Sequence, residues 1–397
     1  MEGRRPMRTD LAVLYLATLV SRVGFGVIII LFPLYIAKAS DIGTAVSLAL
    51  YPALEAVAAV PMGRLCDVRG RKTTFVVALG IMAALMASVG LTRNLYVVSG
   101  IHALMGIGAA GVTVASLTMI TDLTGVKNRG TGMGAFDFAN IGGYALGLFL
   151  GGRLESFFSA QLGFAFFATG GAVAIAFIVA LGILREPPHV PAGTTASLNP
   201  LNALDSLAKA TIPIWLSVTV LLGIVFFLPR ALTRAGIAEG MTANLLFIGV
   251  VVLGIGSIGF GALSDVVGRT RVMVLGVAGL LGLLASIGAT FAQGSQAILK
   301  NFPVVAVFAI LTSALVPTLL ATAGDRAKLD RRGSAMSLYS VMLSIGSAVG
   351  TLVAGFAHSA AGLPGIFYAA AAIFSVACLS SVWLWKRAAG PPLGKPL

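Results

Sequence analysis

The most constraining feature of this chain is a recurrence of long apolar stretches, each close to the length that crosses a bilayer. A hydrocarbon core of about 30 Å needs roughly 20 apolar residues in a helix. Twelve stretches qualify, at 11–36, 44–62, 73–92, 95–119, 131–152, 162–184, 212–229, 241–263, 272–292, 301–322, 334–357 and 365–385. Composition agrees: 58% of the 397 residues are hydrophobic and 10% are charged, and the mean hydropathy is +0.98. Ten per cent charge cannot cover a water-exposed surface, which excludes a soluble enzyme, and this hydrophobicity excludes intrinsic disorder. The expected fold is an all-α integral membrane protein with twelve transmembrane helices in two six-helix, pseudo-symmetric bundles. The first run, Leu11–Ile36, is too long for the core of a secretory signal, so it reads as a span.

Between the sixth and seventh spans lies one long break, rich in proline. It divides the chain into an N-terminal bundle (1–184), a linker (185–211) and a C-terminal bundle (212–397). The net charge of +13 reflects topology rather than affinity for nucleic acid. Of 27 Lys and Arg, 20 fall in segments on one side of the membrane and six on the other, with Arg22 inside a span. Cytoplasmic segments carry the basic excess, so the linker and both termini are expected in the cytoplasm of a multi-pass cell-membrane protein. The two cysteines, Cys66 and Cys378, give neither a metal-ligand spacing nor a disulfide framework.

The halves repeat one another. GRLCDVRGRK (63–72) follows span 2 and GALSDVVGRT (261–270) follows span 8; both read as loops. The segment 129–152 aligns without gaps to 332–355. Spans 2 and 8 therefore correspond, as do 5 and 11. Six helices separate each pair, so the repeats run parallel about an axis along the membrane normal.

On these residues the whole chain resembles the major facilitator superfamily of secondary transporters. Gly63-x-Leu65-x-Asp67-x-x-Gly70-Arg71-Lys72 is similar to that superfamily's signature between spans 2 and 3, with Asp265 and Arg269 in the degenerate second copy. The resemblance implies a latch on the cytoplasmic side, closed in the outward-open state and broken on inward opening. Gly63 removes a side chain where span 2 approaches span 11. Asp67 can pair with Arg71 and accept from a facing helix N-terminus. The alternative for the basic residues alone is a topogenic role, which leaves Gly63 and Asp67 unexplained.

Span 5 resembles the drug:proton antiporter branch, which carries G-x8-G-x3-G-P-x2-G-G there. Gly134, Gly143, Gly147, Gly151 and Gly152 occupy the glycine positions, and Leu148 replaces the proline. Such glycines are expected to let span 5 lie tightly against the other half. In span 4, Gly106, Gly108, Ala109 and Ala110 match the branch pattern, and His102 stands where it has arginine. Histidine changes charge between pH 5 and 8 and arginine does not, so His102 is a candidate proton carrier, or else a neutral packing residue.

Ionisable groups inside spans are costly and default to function. Four are present: Arg22, Glu55, His102 and Asp137. Arg22 and Glu55 fall near the midplane, with His102 outward and Asp137, followed by Asn140, inward. Burial and a neighbouring cation act on a carboxylate in opposite senses, so Arg22 and Glu55 are expected either to exchange partners during transport or to form a fixed pair. Phe226, Phe227, Pro229, Arg230, Tyr339 and Met342 suit a wall for hydrophobic ligands.

The resulting expectation is a proton-coupled transporter working by alternating access, exporting small amphipathic or drug-like compounds in exchange for protons. The alternative is symport or uniport of a small organic anion or metabolite, with Arg22 holding the anion. No G-x-x-x-x-G-K-[ST] loop is present. The expected partners are a small-molecule substrate, protons and membrane lipid, with no cofactor, metal or nucleic acid, and the monomer as working unit. An enzyme is not expected, since His102 has no nucleophile at a recognisable spacing.

Overall fold

The computed structural model describes residues 7–35, 41–158, 161–189, 199–237, 239–294 and 297–389, all helix or connection. Six helices form the first half: α1 (Met7–Tyr35), α2 (Asp41–Arg69), α3 (Arg71–Val89), α4 (Leu95–Leu123), α5 (Arg129–Phe157) and α6 (Gly163–Ile183). After a one-turn helix, α7 (Ser206–Lys209), the second half runs through α8 (Ile212–Arg234), α9 (Glu239–Val267), α10 (Arg269–Ala292), α11 (Ala297–Thr312), α12 (Leu315–Arg326) and α13 (Arg332–Ala389).

Twelve spans result because α11 and α12 share one span and α13 holds two. Prolines set both interruptions. Pro317 has no N–H for the Ser313 carbonyl, four residues back, and the helix breaks there. Pro364 stands just after Ala361 and Gly362, whose backbone is not helical, and begins the twelfth span.

The two signature segments are not loops. Each is the end of one helix, a single glycine and the start of the next. Gly70 (φ 107°) separates α2 from α3, and Gly268 (φ 99°) separates α9 from α10. A left-handed glycine stops a helix in one residue, so the charged side chains around it are carried on rigid helix ends.

The halves meet along α2 against α13 and α5 against α9. These crossings exchange under the 2↔8 and 5↔11 correspondence of the repeat. Within the first half α1 packs on α5, and α4 on α2 and α3; in the second, α8 packs on α13.

The last part of the linker is ordered against the second half. Asp205 caps α7 through the Ala208 N–H and pairs with Arg326 at 2.8 Å. Leu204 bridges to Ala327, and the Lys328 N–H donates to the Ala203 carbonyl at 2.9 Å. Residues 190–198 lie outside the described residues.

Candidate functional site

The polar residues of the spans gather where the halves face each other. Arg22, Glu55, Asp137 and Asn140 are each at most 4% exposed, so none of them faces lipid. Arg22 reaches across the first half from α1. Its guanidinium donates to the Tyr144 hydroxyl of α5 at 2.8 Å and to the Thr113 hydroxyl of α4, and its Nε has no partner. Glu55 of α2 accepts from the Ser340 hydroxyl of α13 at 3.3 Å. Asp137 of α5 accepts from the Ser257 hydroxyl of α9 at 2.6 Å. Asn140 donates to the Tyr339 hydroxyl of α13 at 3.4 Å, while its Oδ1 is unpartnered. Each of these last three bonds joins one half to the other.

The expected fixed pair is not formed. Arg22 and Glu55 are within electrostatic reach of each other, yet among the described residues neither Glu55 nor Asp137 makes an ion pair within 4 Å. Neutral hydroxyls meet the two terminal nitrogens of the buried cation, and serines meet the two carboxylates. Around them stand Phe25 against Tyr51 (centroids 4.5 Å apart) and against Tyr144 (5.3 Å), with Tyr339 near Trp215 (6.2 Å) and Phe136 (6.3 Å). The Tyr51 hydroxyl and the Trp215 indole N–H are buried without partners. Buried orphan donors are uncommon in finished cores.

His102 stands apart from Arg22. Its ring stacks between Phe32 (4.4 Å) and Tyr51 (5.2 Å), and Nδ1 has no partner. It is linked to the carboxylate region through the Tyr51 ring rather than by a hydrogen bond. The side chains of Phe226, Pro229 and Arg230 lie outside the described residues; Tyr339 and Met342 are buried on α13.

At the basic end of the bundle the signature residues build a twofold cluster. Asp67 accepts from the Gly333 N–H (2.7 Å), the Ser334 N–H (2.8 Å) and the Ser334 hydroxyl (2.7 Å), at the N-terminus of α13. Asp265 accepts from the Gly130 N–H, the Thr131 N–H and the Thr131 hydroxyl at 2.8, 2.8 and 2.7 Å, at the N-terminus of α5. Helix N-termini attract carboxylates because their first N–H groups are unbonded within the helix. Arg71 holds Asp122 at 2.8 Å, and Asp122 also receives Arg332 of the other half at 2.7 Å. Symmetrically, Arg269 holds Asp325 at 3.1 Å, and Asp325 receives Arg129 of the other half.

Gly63 lies where it was expected: a Cβ there would sit 2.7 Å from the Gly333 carbonyl of α13. Lys72 contributes its backbone, since its N–H and that of Arg71 donate to Glu186. The span-5 glycines correct the sequence reading. Gly134 does meet the Ser257 backbone of the other half, but Gly143 and Gly147 pack on Leu19, Arg22 and Val23 of α1 in their own half. They bring α1 close enough for Arg22 to reach Tyr144. Gly151 is buried in α5, and the surroundings of Gly152 lie outside the described residues.

Sequence reasoning missed Asp122, Arg129, Asp325 and Arg332. Their signal was present: Asp122 and Arg129 are spaced as Asp325 and Arg332 are, in the register that aligns spans 5 and 11. It also missed Tyr51, Tyr144, Ser257, Ser340 and Trp215, whose side chains are too common in spans to stand out.

Residues 14–299 and 224–397 match the family model described as Major Facilitator Superfamily. The multidrug resistance protein MdtG of Proteus mirabilis (strain HI4320) is 23% identical over 389 residues, covering 92% of this chain and 93% of that protein. The human organic anion transporter MFSD10 shares the fold with a TM-score of 0.80 at 16% identity, over 95% of this chain and all of the other. The Escherichia coli fucose:proton symporter FucP does so with a TM-score of 0.76 at 17% identity, over 96% of this chain and all of the other.

Proposed function

The chain belongs to the Major Facilitator Superfamily, a family of small-molecule transporters rather than enzymes, and on that premise we propose that it exports small amphipathic compounds in exchange for protons. The observation that carries this reading is the charge balance between the halves. Two buried carboxylates, Glu55 and Asp137, stand with one buried cation, Arg22, and neither is paired with it. A surplus buried negative charge is costly until something neutralises it. A proton or a cationic substrate can do so, and competition between them for one site couples their movements. The aromatic faces of Tyr51, Tyr144, Tyr339 and Trp215 suit the apolar and cationic parts of such a substrate. The name of the MdtG relative points the same way.

In this mechanism the bonds that tie Glu55 to Ser340 and Asp137 to Ser257 close the centre while the basic end is latched. That end is read as cytoplasmic from its excess of Lys and Arg, with both termini there and the cell membrane as location. The cluster of Asp67, Asp265, Asp122 and Asp325 with their arginines is the latch. Proton entry at Asp137 or Glu55 removes the negative charge that retains a cation, the substrate leaves outward, and the halves rock about the midplane. The monomer contains both halves of the site.

One observation favours the second reading, transport of an organic anion: the Arg22 guanidinium has an unpartnered Nε and, among the described residues, no carboxylate within 4 Å. Luminal pH in proteoliposomes separates the readings. Entry of an added amphipathic cation with alkalinisation of the lumen supports antiport. Entry of an organic anion with acidification, lost in Arg22→Ala, replaces it with symport. Uptake of either kind without a pH change removes the proton roles of Glu55, Asp137 and His102.

A further inference from the structure

The buried polar groups between the halves are graded in charge along α5. Glu55 lies within electrostatic reach of Arg22, so those two charges offset each other. Asp137 is met instead by the Ser257 hydroxyl of α9, and the surplus negative charge of the region sits there. On α5, Asp137, Asn140 and Tyr144 fall at i, i+3 and i+7 and share one face. Tyr144 receives the Arg22 guanidinium at 2.8 Å. Seven residues therefore set the acidic end and the arginine-bound end about 10 Å apart along the helix. The Tyr339 hydroxyl is within electrostatic reach of both Asp137 and Arg22, and its ring offers an aromatic face beside the path from one to the other.

Each end also holds a buried polar atom with nothing to bond. Asn140, one turn from Asp137, gives its amide nitrogen to the Tyr339 hydroxyl at 3.4 Å, and its Oδ1 has no partner. At the other end Arg22 turns both terminal nitrogens to hydroxyls, and its Nε has no partner. Buried polar atoms are rarely left in this state, because each has given up water for nothing. The two unmet atoms are of opposite kind. Beside the surplus carboxylate stands an acceptor that wants a hydrogen, and beside the offset arginine stands a donor that wants an oxygen.

We propose that the exported compound is a protonated primary or secondary amine with a neutral oxygen acceptor about 10 Å from its nitrogen, and that Asn140 selects for the amine hydrogens. This rests on the export reading above and narrows its substrate class. One ammonium N–H donates to Asp137 and another to the Asn140 Oδ1. A quaternary ammonium has the charge for the first but no hydrogen for the second. At the far end a carbonyl or ether oxygen accepts from the Arg22 Nε. A cation without that oxygen leaves the Nε buried and unmet. A carboxylate there also fits less well. Arg22, Glu55, Asp137 and the ammonium already sum to zero, so a further negative charge would be left over in a buried site.

The test is isothermal titration calorimetry on the full chain in lipid nanodiscs at neutral pH, with a matched series of probes. Methyl 4-(piperazin-1-yl)benzoate carries an N–H cation and a carbonyl. Its N,N-dimethylpiperazinium analogue has no N–H, 1-phenylpiperazine has no carbonyl, and 4-(piperazin-1-yl)benzoic acid adds a negative charge. The ester is expected to bind about tenfold tighter than each of the other three, the loss of one hydrogen bond to a charged partner. In Asn140→Leu the ester and its dimethyl analogue should bind within about twofold of each other; in Arg22→Met the ester and 1-phenylpiperazine should do so. The order on the unmodified chain decides the matter if a variant does not fold. Binding of the dimethyl analogue, of 1-phenylpiperazine or of the acid as tight as that of the ester overturns the proposal, and so does no binding of any probe. A preference over the dimethyl analogue that persists in Asn140→Leu reports the bulk of two methyl groups and also overturns it. Failure here differs from failure of the export reading. Entry of the dimethyl analogue into proteoliposomes as readily as the ester, with luminal alkalinisation, keeps export and removes the amine requirement. Uptake of the ester without a pH change removes proton coupling and leaves the binding order to stand.

Discussion

Replacing Asp67 by asparagine tests whether the helix-end carboxylates hold the basic end shut. Asp67 accepts three hydrogen bonds from Gly333 and Ser334 at 2.7–2.8 Å, all buried. Asparagine with its one oxygen toward Ser334 keeps two of the three bonds, but it loses the one from Gly333, sets its amide N–H groups against that buried N–H, and gives up the charge that stands 3.7 Å from Arg71. Hydrogen bonds to a charged acceptor contribute about 1.5–3 kcal/mol each. The closed state should therefore lose about 3 kcal/mol, a shift of about 150-fold toward opening. Asp265→Asn disturbs the equivalent bonds, but these are part-buried at Gly130 and exposed at Thr131, so water replaces much of what is lost. About half the effect, roughly 1.5 kcal/mol or tenfold, is expected there. Electron–electron distance measurements between nitroxides at the exposed positions of Arg69 and Val266, in a Cys66→Ala/Cys378→Ala background, read the populations directly. An effect of Asp265→Asn equal to or larger than that of Asp67→Asn refutes the argument from burial. A distance distribution unmoved by either refutes the latch.

Gly63→Ala should also favour opening, because its Cβ would lie 2.7 Å from the Gly333 carbonyl and 2.9 Å from Ser337 Cβ; Gly100→Ala, with nothing within 4 Å, should leave the same distances unchanged. Asp122→Asn strips the buried partner from Arg71 and Arg332 and should cost about 3–5 kcal/mol, seen as a lowered unfolding midpoint. Asp325→Asn should cost less, because that carboxylate is 15% exposed against 1% for Asp122. Glu55→Gln and Asp137→Asn should each slow proton-driven efflux at least tenfold while sparing substrate exchange across a membrane without a pH gradient. Equal loss in both assays would make these carboxylates structural.

The spans and the repeat were legible in the sequence because both are written in residues with a single physical meaning. Apolar runs of bilayer length have no other stable use, and Gly-Arg after an aspartate recurs only where the backbone must turn in one residue. The helix boundaries were less legible. Asp67 and Asp265 read as loop residues, yet they lie on helix ends, since a single left-handed glycine suffices to separate two helices. Partners were the least legible. Nothing in the composition of α1 shows that Arg22 is met by Tyr144 and Thr113 rather than by Glu55. That choice depends on Gly143 and Gly147, which draw α5 onto α1 and place the tyrosine within reach. The carboxylates are consequently left to serines of the opposite half. A direct Arg22–Glu55 pair would have been locked inside one half and indifferent to rocking. Bonds from Glu55 to Ser340 and from Asp137 to Ser257 cross the interface, so they must break whenever the halves separate, and the charge state of each carboxylate weighs on that equilibrium.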